Sequence, residues 1–262
     1  MIVEFFKHLT TPAPPAVKKL GFVAGAIAIE ARFNRQYSHW QHHLEKTKQI
    51  IIDEVSKLPE GAHILVLGAG GLFDLPFENI INGGKNLSLL DIVYLRSTRK
   101  KVRSHANIKL IEGDITNYVA DFYAWMLEPT KPMPTPVSPM AIEKLITSKP
   151  DLVISLNILS QLPLQFEQKV AKLKPNFNFD EIANMLMEQH IRWLKALNCP
   201  VLVVGDIERN LISDYTIADT EVIIATNSLD QPFDTWVWDI APKGEIHKDM
   251  SFSHKVGAWR LN

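Results

Sequence analysis

A glycine-rich turn follows directly after a short apolar run in the first third of the chain. The run His63–Leu67 is typical of a buried parallel strand, and Gly68 to Gly71 come next. Glycines at such a turn let backbone N–H groups approach a ligand, and they let the chain reverse into a helix whose N-terminus favours anions. The turn alone is a weak indication, because a glycine turn can also serve only to reverse the chain.

Two aspartates stand where two further strands are predicted to end. Asp91 follows Leu87–Leu90, 21 residues after Gly70, and Asp114 comes shortly after Ile108–Ile111. In open parallel sheets, ligands bind at the carboxyl ends of the strands near the point where the strand order reverses. Asp91 can accept both hydroxyl hydrogens of a ribose, and Asp114 can accept from an adenine amino group. Either could instead cap a helix, but together they fit an adenosine-shaped ligand.

The elements around these residues alternate between strands and helices. Residues 16–58 predict one or two helices, and 75–82 predict another. The alternation implies right-handed crossovers and a parallel sheet. Two β-rich stretches near the C-terminus predict a terminal antiparallel pair. The predicted parallel strands are His63–Leu67, Leu87–Leu90, Ile108–Ile111, Asp151–Leu156 and Val201–Val204, and the closing pair is Thr235–Ile240 with Ser251–Leu261.

Two connections in this pattern are long. Residues 129–139 contain five prolines, so we expect an exposed loop or lid that proteases cut first. Residues 165–197 predict one or two helices, the second of them from Phe179 to Leu197.

The motifs in order resemble those of class I S-adenosylmethionine-dependent methyltransferases, over roughly residues 60–210. The resemblance implies a Rossmann-like, doubly wound α/β fold with a mostly parallel seven-stranded sheet and an antiparallel C-terminal strand. It implies S-adenosylmethionine over the glycine turn, with Asp91 on the ribose, Asp114 near the adenine and Asn157 facing the methionine portion. The segment Trp238–Glu245 also resembles a closing segment of bacterial methyltransferase-like proteins of unassigned activity. The motifs are Ile64 to Gly70, Leu90-Asp91, Glu112 to Ile115 and Asp151 to Asn157.

The chain departs from that family at two positions. Val66 stands where the family has an acidic residue that helps hold the methionine end, and Leu72 stands where it has a third glycine. Asp74 could replace the missing acid, or it could cap the helix that contains Pro76. The predicted cofactor contacts are therefore Gly68, Ala69, Gly70, Gly71, Asp74, Asp91, Asp114 and Asn157.

Composition narrows the function classes. The 262 residues are 46% hydrophobic and carry a net charge of −1, which favours neither nucleic acid nor an anionic membrane. The single cysteine, Cys199, fits a reducing compartment, and we expect a cytoplasmic protein. The run Leu20–Ile29 is too short to span a bilayer. We expect an N-terminal helical cap over residues 1–58 and a Rossmann-like domain over residues 59–262, which includes the proline-rich loop at 129–139.

No motif identifies a catalytic residue. His43 is a weak candidate for a general base, because an N-terminal helix often covers the substrate pocket in this fold and could place Tyr37, Trp40 and His43 along it. His39 and His43 are four residues apart and could bind a metal, but no third ligand supports this, so we expect no metal. The basic cluster from Arg96 to Arg103 is typical of a solvated helix face.

Three functions stay open at this point. The first is methyl transfer from S-adenosylmethionine to an unidentified acceptor, which we expect to be a small molecule. The second is an NAD-dependent oxidoreductase, although Phe73 stands where its fingerprint needs glycine or alanine. The third is a non-catalytic protein that binds S-adenosylmethionine or a nucleotide through a degenerate motif, which Val66 and Leu72 favour.

Overall fold

The computed structural model describes residues 2–139, 146, 148–213, 216–223 and 228–262. Within these residues the chain forms one mixed α/β structure in which helices and parallel strands alternate. The helices are α1 (Ile2–Thr10), α2 (Pro15–Leu20), α3 (Phe22–Val55), α4 (Phe77–Asn82), α5 (Arg96–Val102), α6 (Val119–Leu127), α7 (Leu164–Leu173) and α8 (Asp180–Lys195), with a short 3-10 helix at Leu159–Gln161. The strands are β1 (His63–Leu67), β2 (Asn86–Asp91), β3 (Ile108–Glu112), β4 (Leu152–Leu156), β5 (Val201–Ser213), β6 (Thr216–Val222), β7 (Asp234–Ala241) and β8 (Met250–Leu261).

The sheet has the order β3-β2-β1-β4-β5-β8-β7, and β6 pairs with β5 beside that path. Strands β1 to β5 are parallel, whereas β8 runs antiparallel to both β5 and β7. The order reverses between β1 and β4, so the loops after these two strands diverge and leave a crevice at their carboxyl ends. The Rossmann-like α/β fold and the antiparallel C-terminal strand are confirmed.

The sheet differs from the predicted one in a single respect. It has eight strands among the described residues, not seven, because β5 extends to Ser213 and pairs with β6 beyond the central sheet. Every residue of β6 is exposed, so the strand has no alternation of apolar and polar residues. Such a strand leaves no periodic signal in the sequence.

Apolar side chains cover both faces of the sheet. Along β1, Ile64 and Val66 contribute to one buried cluster with α3 and α4, whereas Leu65 and Leu67 contribute to a second cluster with α8. A strand that is buried on both faces reads as a continuous apolar run, which is why His63–Leu67 was predictable as a central strand.

The N-terminal helices lie across the carboxyl end of the sheet. Helix α3 is kinked at Gln36, where the backbone has φ −112° and ψ 19°. Glu245, in the turn before β8, fixes the kink by accepting hydrogen bonds from Arg35 (2.6 Å) and Gln36 (2.8 Å). On the other side, the buried Glu30 accepts hydrogen bonds from Lys7 and Ser97, each at 2.5 Å. The half of α3 before the kink thus roofs the crevice, and the half after it packs on β7.

The proline-rich segment 129–139 contains neither helix nor strand, as predicted, but it is anchored more firmly than an exposed connector. Its backbone carbonyl groups accept hydrogen bonds from Trp125, Tyr118 and Gln189 at 2.8 to 3.0 Å. The side chain of Pro136 is buried. The composition correctly excluded regular structure but could not show these contacts, because their donors lie elsewhere in the chain.

Candidate functional site

The glycine turn after β1 is tightly constrained. Gly68 has φ +78°, and a Cβ there would lie 2.7 Å from the Leu156 carbonyl oxygen and 2.8 Å from Cβ of Ile158. At Gly71 a Cβ would lie 2.2 Å from the Phe73 ring. Gly68 therefore lets the ends of β1 and β4 approach closely at the crevice, and Gly71 makes room for the Phe73 ring.

Two expectations for this turn are wrong. The N–H groups of Gly68 and Ala69 donate to the Leu90 carbonyl (2.9 and 3.4 Å), so they are not available to a ligand. Helix α4 begins only at Phe77, six residues after Gly71, so its N-terminus does not directly follow the turn. The glycines supply space and chain reversal here, whereas an anion hole would need free N–H groups.

Leu72 occupies a left-handed conformation where the resembling family has its third glycine. Its φ is +58°, a region that costs a branched side chain roughly 1–2 kcal/mol. Its side chain is 2% exposed and belongs to the core cluster between α3, α4 and the sheet. Val66 is fully buried in the same cluster, so an acidic residue could not ionise there without a partner. Both departures are thus consistent with hydrophobic packing beneath the turn.

Asp91 ends β2 beside the turn and braces it. Its Oδ2 accepts from the Gly70 N–H (2.8 Å) and its Oδ1 from the Ile92 N–H (2.7 Å). Burial raises the pKa of Asp91 to about 6, even though these N–H groups favour the ionised form. Each carboxylate oxygen retains a further lone pair, so Asp91 can still accept hydroxyl hydrogens from a ligand.

Asp114, after β3, is more heavily engaged than predicted. Its Oδ1 accepts from the backbone N–H and hydroxyl group of Thr116 (2.9 and 2.5 Å), and its Oδ2 accepts from the N–H groups of Tyr118 and Val119 (2.9 and 2.8 Å). It therefore organises the loop into α6, which corresponds to the helix-cap alternative. It also borders the crevice, where its contact with an adenine stays a prediction.

Asp74 and Asn157 meet between the loops that follow β1 and β4. Asn157 donates from Nδ2 to Asp74 Oδ2 at 2.6 Å, while its own Oδ1 is buried without a hydrogen-bond partner among the described residues. The structure gives Asp74 no capping hydrogen bond to α4, so that alternative is wrong. Burial raises the pKa of Asp74, and the bond from Asn157 opposes this increase. Asn157 has φ +49°, which asparagine tolerates better than most residues.

His43 lies beside this pair but cannot act as the general base we considered. Burial lowers its pKa to about 3. Its Nδ1 accepts a hydrogen bond from the Trp236 indole N–H at 3.0 Å. An indole N–H is only a donor, so the single lone pair of the neutral imidazole is already engaged. The sequence did not indicate the contact between Trp236 and His43, because nothing in the spacing relates two residues 193 positions apart.

The residues near His43 on α3 lie in different environments. Trp40 and His43 border the crevice, whereas Tyr37 is 53% exposed and does not. His39 is exposed, so it cannot share a site with the buried His43. Among the described residues, no group of three or more His, Cys, Asp or Glu side chains could hold a metal ion.

The site contains one cavity of about 620 Å³, a volume in the usual range of small-molecule sites. The cavity lies over the carboxyl ends of β1 to β4, under the first half of α3, and against α7. All eight predicted cofactor residues border it: Gly68, Ala69, Gly70, Gly71, Asp74, Asp91, Asp114 and Asn157. The sequence suggested a covering N-terminal helix, but it did not indicate which residues of α3 before the kink border the cavity; Glu30 and Arg32 are the charged ones among them. None of the helices within the described residues combines the length and the apolar composition of a membrane span.

Comparison with solved structures finds similarities at low sequence identity. The chain resembles the 1,6-didemethyltoxoflavin N1-methyltransferase of Burkholderia thailandensis, whose structure contains S-adenosylhomocysteine (TM-score 0.40, 11% identity, 87% of this chain and 88% of that one). It resembles TehB from Haemophilus influenzae (TM-score 0.40, 11% identity, 80% and 61%). It also resembles a structure from Rhodobacter sphaeroides described as a Zn-dependent alcohol dehydrogenase (TM-score 0.33, 11% identity, 56% and 42%).

The chain spans 42% of the length of that dehydrogenase and 35% of a coclaurine N-methyltransferase that it also resembles. No protein-family model and no curated protein matches the sequence. All these TM-scores lie below 0.5, and the similar structures include both methyltransferases and a dehydrogenase. The similarities therefore assign no activity. The function must be inferred from the geometry of the cavity.

Proposed function

We propose that this chain binds S-adenosylmethionine in the cavity and transfers its methyl group to a small-molecule acceptor. One observation carries the proposal: Asp91 and Asp114 at one end of a single cavity, and the Asp74–Asn157 pair at the other, flank the same glycine turn. That arrangement offers hydroxyl acceptors for a ribose and an anionic group for an ammonium group. An adenosine joined to an amino acid has both features.

The residues fit the cofactor on two independent grounds. The cavity beside the glycine turn has a volume of about 620 Å³, in the usual range of small-molecule sites, and Asp74, Asp91 and Asp114 border it. The buried Oδ1 of Asn157 has no partner among the described residues, although buried polar atoms are normally paired. Asp74 would hold the ammonium group of the methionine portion and thereby replace the acid that is missing at Val66.

S-adenosylmethionine, when bound, supplies a methyl group on a sulfonium, which a nucleophile can take directly. The chain's own contribution is then to orient the two reactants and to exclude water, since positioning alone can account for a large part of such catalysis. The roof formed by α3 performs the exclusion, and it is fixed by the hydrogen bonds of Glu30 and Glu245.

Two further features support a small acceptor. The first half of α3 lies over the cavity and narrows its opening, whereas a polymeric substrate would need a long open cleft. The chain's net charge of −1 provides no general attraction for nucleic acid. We propose that residues 1–58 act as a helical cap on the domain formed by residues 59–262, because the first half of α3 lies over the cavity while Trp40 packs against Trp238 at 4.9 Å between ring centroids.

The test compares S-adenosylhomocysteine with adenosine, which lacks the amino-acid end. Asp74→Asn should weaken S-adenosylhomocysteine by roughly 1.5–3 kcal/mol, the range for hydrogen bonds to charged groups, and leave adenosine unchanged. Asp91→Ala should weaken both ligands. Asp121→Asn serves as a matched control, because Asp121 is exposed on α6 and lies outside the cavity.

Equal losses of both ligands in Asp74→Asn would contradict the proposal. They would favour the non-catalytic alternative, in which the chain binds a nucleoside and leaves the methionine end unanchored. That alternative has one observation in its favour. Val66 and Leu72 pack in the hydrophobic core, so the turn lacks the acidic residue and the third glycine of the family that the sequence resembles. Binding of NAD in place of S-adenosylhomocysteine would favour the oxidoreductase.

A further inference from the structure

The polar end of the cavity contains a hydrogen-bond chain that begins outside the cavity at Trp236. Its indole Nε1 lies 3.0 Å from His43 Nδ1, and both side chains are buried. Because an indole nitrogen donates and never accepts, His43 Nδ1 must carry the lone pair. The proton of the neutral ring is therefore on Nε2.

A second proton on His43 is excluded by the same surroundings. Burial lowers the pKa of His43 to about 3, with Asp206 opposing this decrease and His254 and His42 adding to it. The ring is therefore neutral at pH 7 and presents one N–H, on Nε2. Trp238 stacks on the ring at 4.0 Å between centroids and 9° between planes, which holds the direction of that N–H.

The Nε2–H group faces Asn157 without a good acceptor. Asn157 Nδ2 lies 3.4 Å from Nε2 and already donates to Asp74 Oδ2 at 2.6 Å. Two N–H groups thus face each other. Reversing the Asn157 amide would give His43 Nε2–H an acceptor, but it would place the Asn157 oxygen against Asp74 Oδ2. The contact between Asn157 and Asp74 would then join two acceptors unless Asp74 is protonated. The cluster of His43, Asn157 and Asp74 consequently has one unmatched donor when no ligand is bound.

We infer that Trp236 is a positioning residue: it fixes His43 as a hydrogen-bond donor, and His43 Nε2–H donates to the α-carboxylate of the bound cofactor. The identity of that ligand rests on the proposed function. An amino-acid end carries one ammonium group and one carboxylate, and the cluster offers a matching pair, Asp74 as acceptor and His43 as donor, on either side of Asn157. A ligand oxygen at His43 removes the mismatch, whereas a second donor there would be rejected.

Nitrogen NMR of the protein labelled with ¹⁵N-histidine tests the tautomer directly. The His43 signals are assigned by their loss in His43→Gln. In the ligand-free wild-type protein we expect the Nε2–H tautomer at pH 7 and no protonation down to pH 5. A protonated Nδ1, or a doubly protonated ring at pH 6, would overturn the inference about Trp236.

Trp236→Phe keeps a ring but removes the indole N–H. We expect this substitution to remove the preference for the Nε2–H tautomer, so that Nδ1–H becomes populated. It should also weaken the binding of S-adenosylhomocysteine about tenfold, equivalent to ~1.4 kcal/mol. Adenosine should bind as it does to the wild type. Trp238→Phe is the matched control for the tautomer, because Nε1 of Trp238 has no hydrogen-bond partner among the described residues. It should retain Nε2–H.

Two outcomes separate the inference from the proposed function. If Trp236→Phe changes the tautomer but weakens adenosine as much as S-adenosylhomocysteine, the role toward the carboxylate is wrong. If the variant does not fold, the wild-type signals decide: S-adenosylhomocysteine should shift the His43 Nε2–H resonance, adenosine should not, and equal responses would overturn the inference. A wild-type protein that binds adenosine but not S-adenosylhomocysteine would refute the proposed function and the carboxylate contact together, while the ligand-free tautomer would still decide the role of Trp236.

Discussion

The raised pKa of Asp91 predicts that ligand affinity decreases as the solution becomes acidic. In the ligand-free protein, burial raises that pKa to about 6. In the proposed complex the carboxylate accepts ribose hydroxyl hydrogens, which favours the ionised form and lowers the pKa. The ligand therefore selects ionised Asp91. Affinity should be constant above pH 7 and decrease as the pH passes below 6.

The size of the effect follows from the ionised fraction of the ligand-free protein. With a pKa of about 6, roughly 97% of Asp91 is ionised at pH 7.5 and roughly 9% at pH 5. The association constant should thus decrease about tenfold between these values, equivalent to ~1.4 kcal/mol. Adenosine is the appropriate ligand, because S-adenosylhomocysteine would also report the titration of Asp74, whose pKa is raised as well.

Calorimetric titrations of adenosine at pH 7.5, 6.5, 5.5 and 5.0 provide the measurement. Asp91→Asn is the control, since its side chain does not titrate and its weaker affinity should be independent of pH. An affinity for adenosine that stays constant or increases toward pH 5 in the wild-type protein would refute the role of Asp91. A pH dependence that persists in Asp91→Asn would assign it to another group.

Three further predictions concern the turn and the core. Gly68→Ala should abolish binding of S-adenosylhomocysteine and cost about 2 kcal/mol or more of stability, because its Cβ meets the Leu156 carbonyl. The matched control is Gly61→Ala, where φ is +77° and a Cβ would have no atom within 4 Å. The control should cost about 1 kcal/mol and keep binding, and equal effects of the two variants would exclude the steric explanation. Leu72→Gly should relieve roughly 1–2 kcal/mol of backbone strain but lose roughly 2–5 kcal/mol of packing, so urea denaturation should show a net loss of about 2 kcal/mol, and a more stable variant would contradict this balance. His190 is buried and its pKa is lowered to about 3, below the value of about 6.5 in the unfolded chain, so its contribution to stability is complete above pH 6.5 and is lost as the pH falls toward 3. Between pH 7 and 5 the wild type should therefore lose about 2 kcal/mol more than His190→Gln in urea denaturation, and equal losses would show that His190 titrates normally.

The central sheet was predictable because its signals are local. Each parallel strand is an apolar run bounded by turn residues, and the carboxyl ends of such strands must meet at one edge of the sheet. That reasoning predicted Gly70, Asp91 and Asp114 at one ligand site, and the resemblance to the methyltransferase motifs added Asn157. The same reasoning could not indicate β6, whose exposed residues have no periodicity.

The chemistry of the site depends on contacts that no local pattern contains. Nδ1 of His43 accepts from the indole N–H of Trp236, 193 residues away, and the partner of Asp74 is Asn157, 83 residues away. From the sequence, Asp74 could be either a helix cap or the residue that holds the methionine end, and His43 could be a general base. Only burial and the direction of hydrogen bonds decide such cases, because they determine which atoms retain a free lone pair or proton.

Isothermal titration calorimetry of the wild-type protein with S-adenosylmethionine, S-adenosylhomocysteine and NAD at pH 7.5 tests the central claim most directly. The structure predicts that the first two ligands bind one site per chain, that S-adenosylhomocysteine raises the melting temperature by mass action, and that NAD does not compete. Failure of both sulfur-containing ligands to bind at millimolar concentration, with NAD binding in their place, would contradict it.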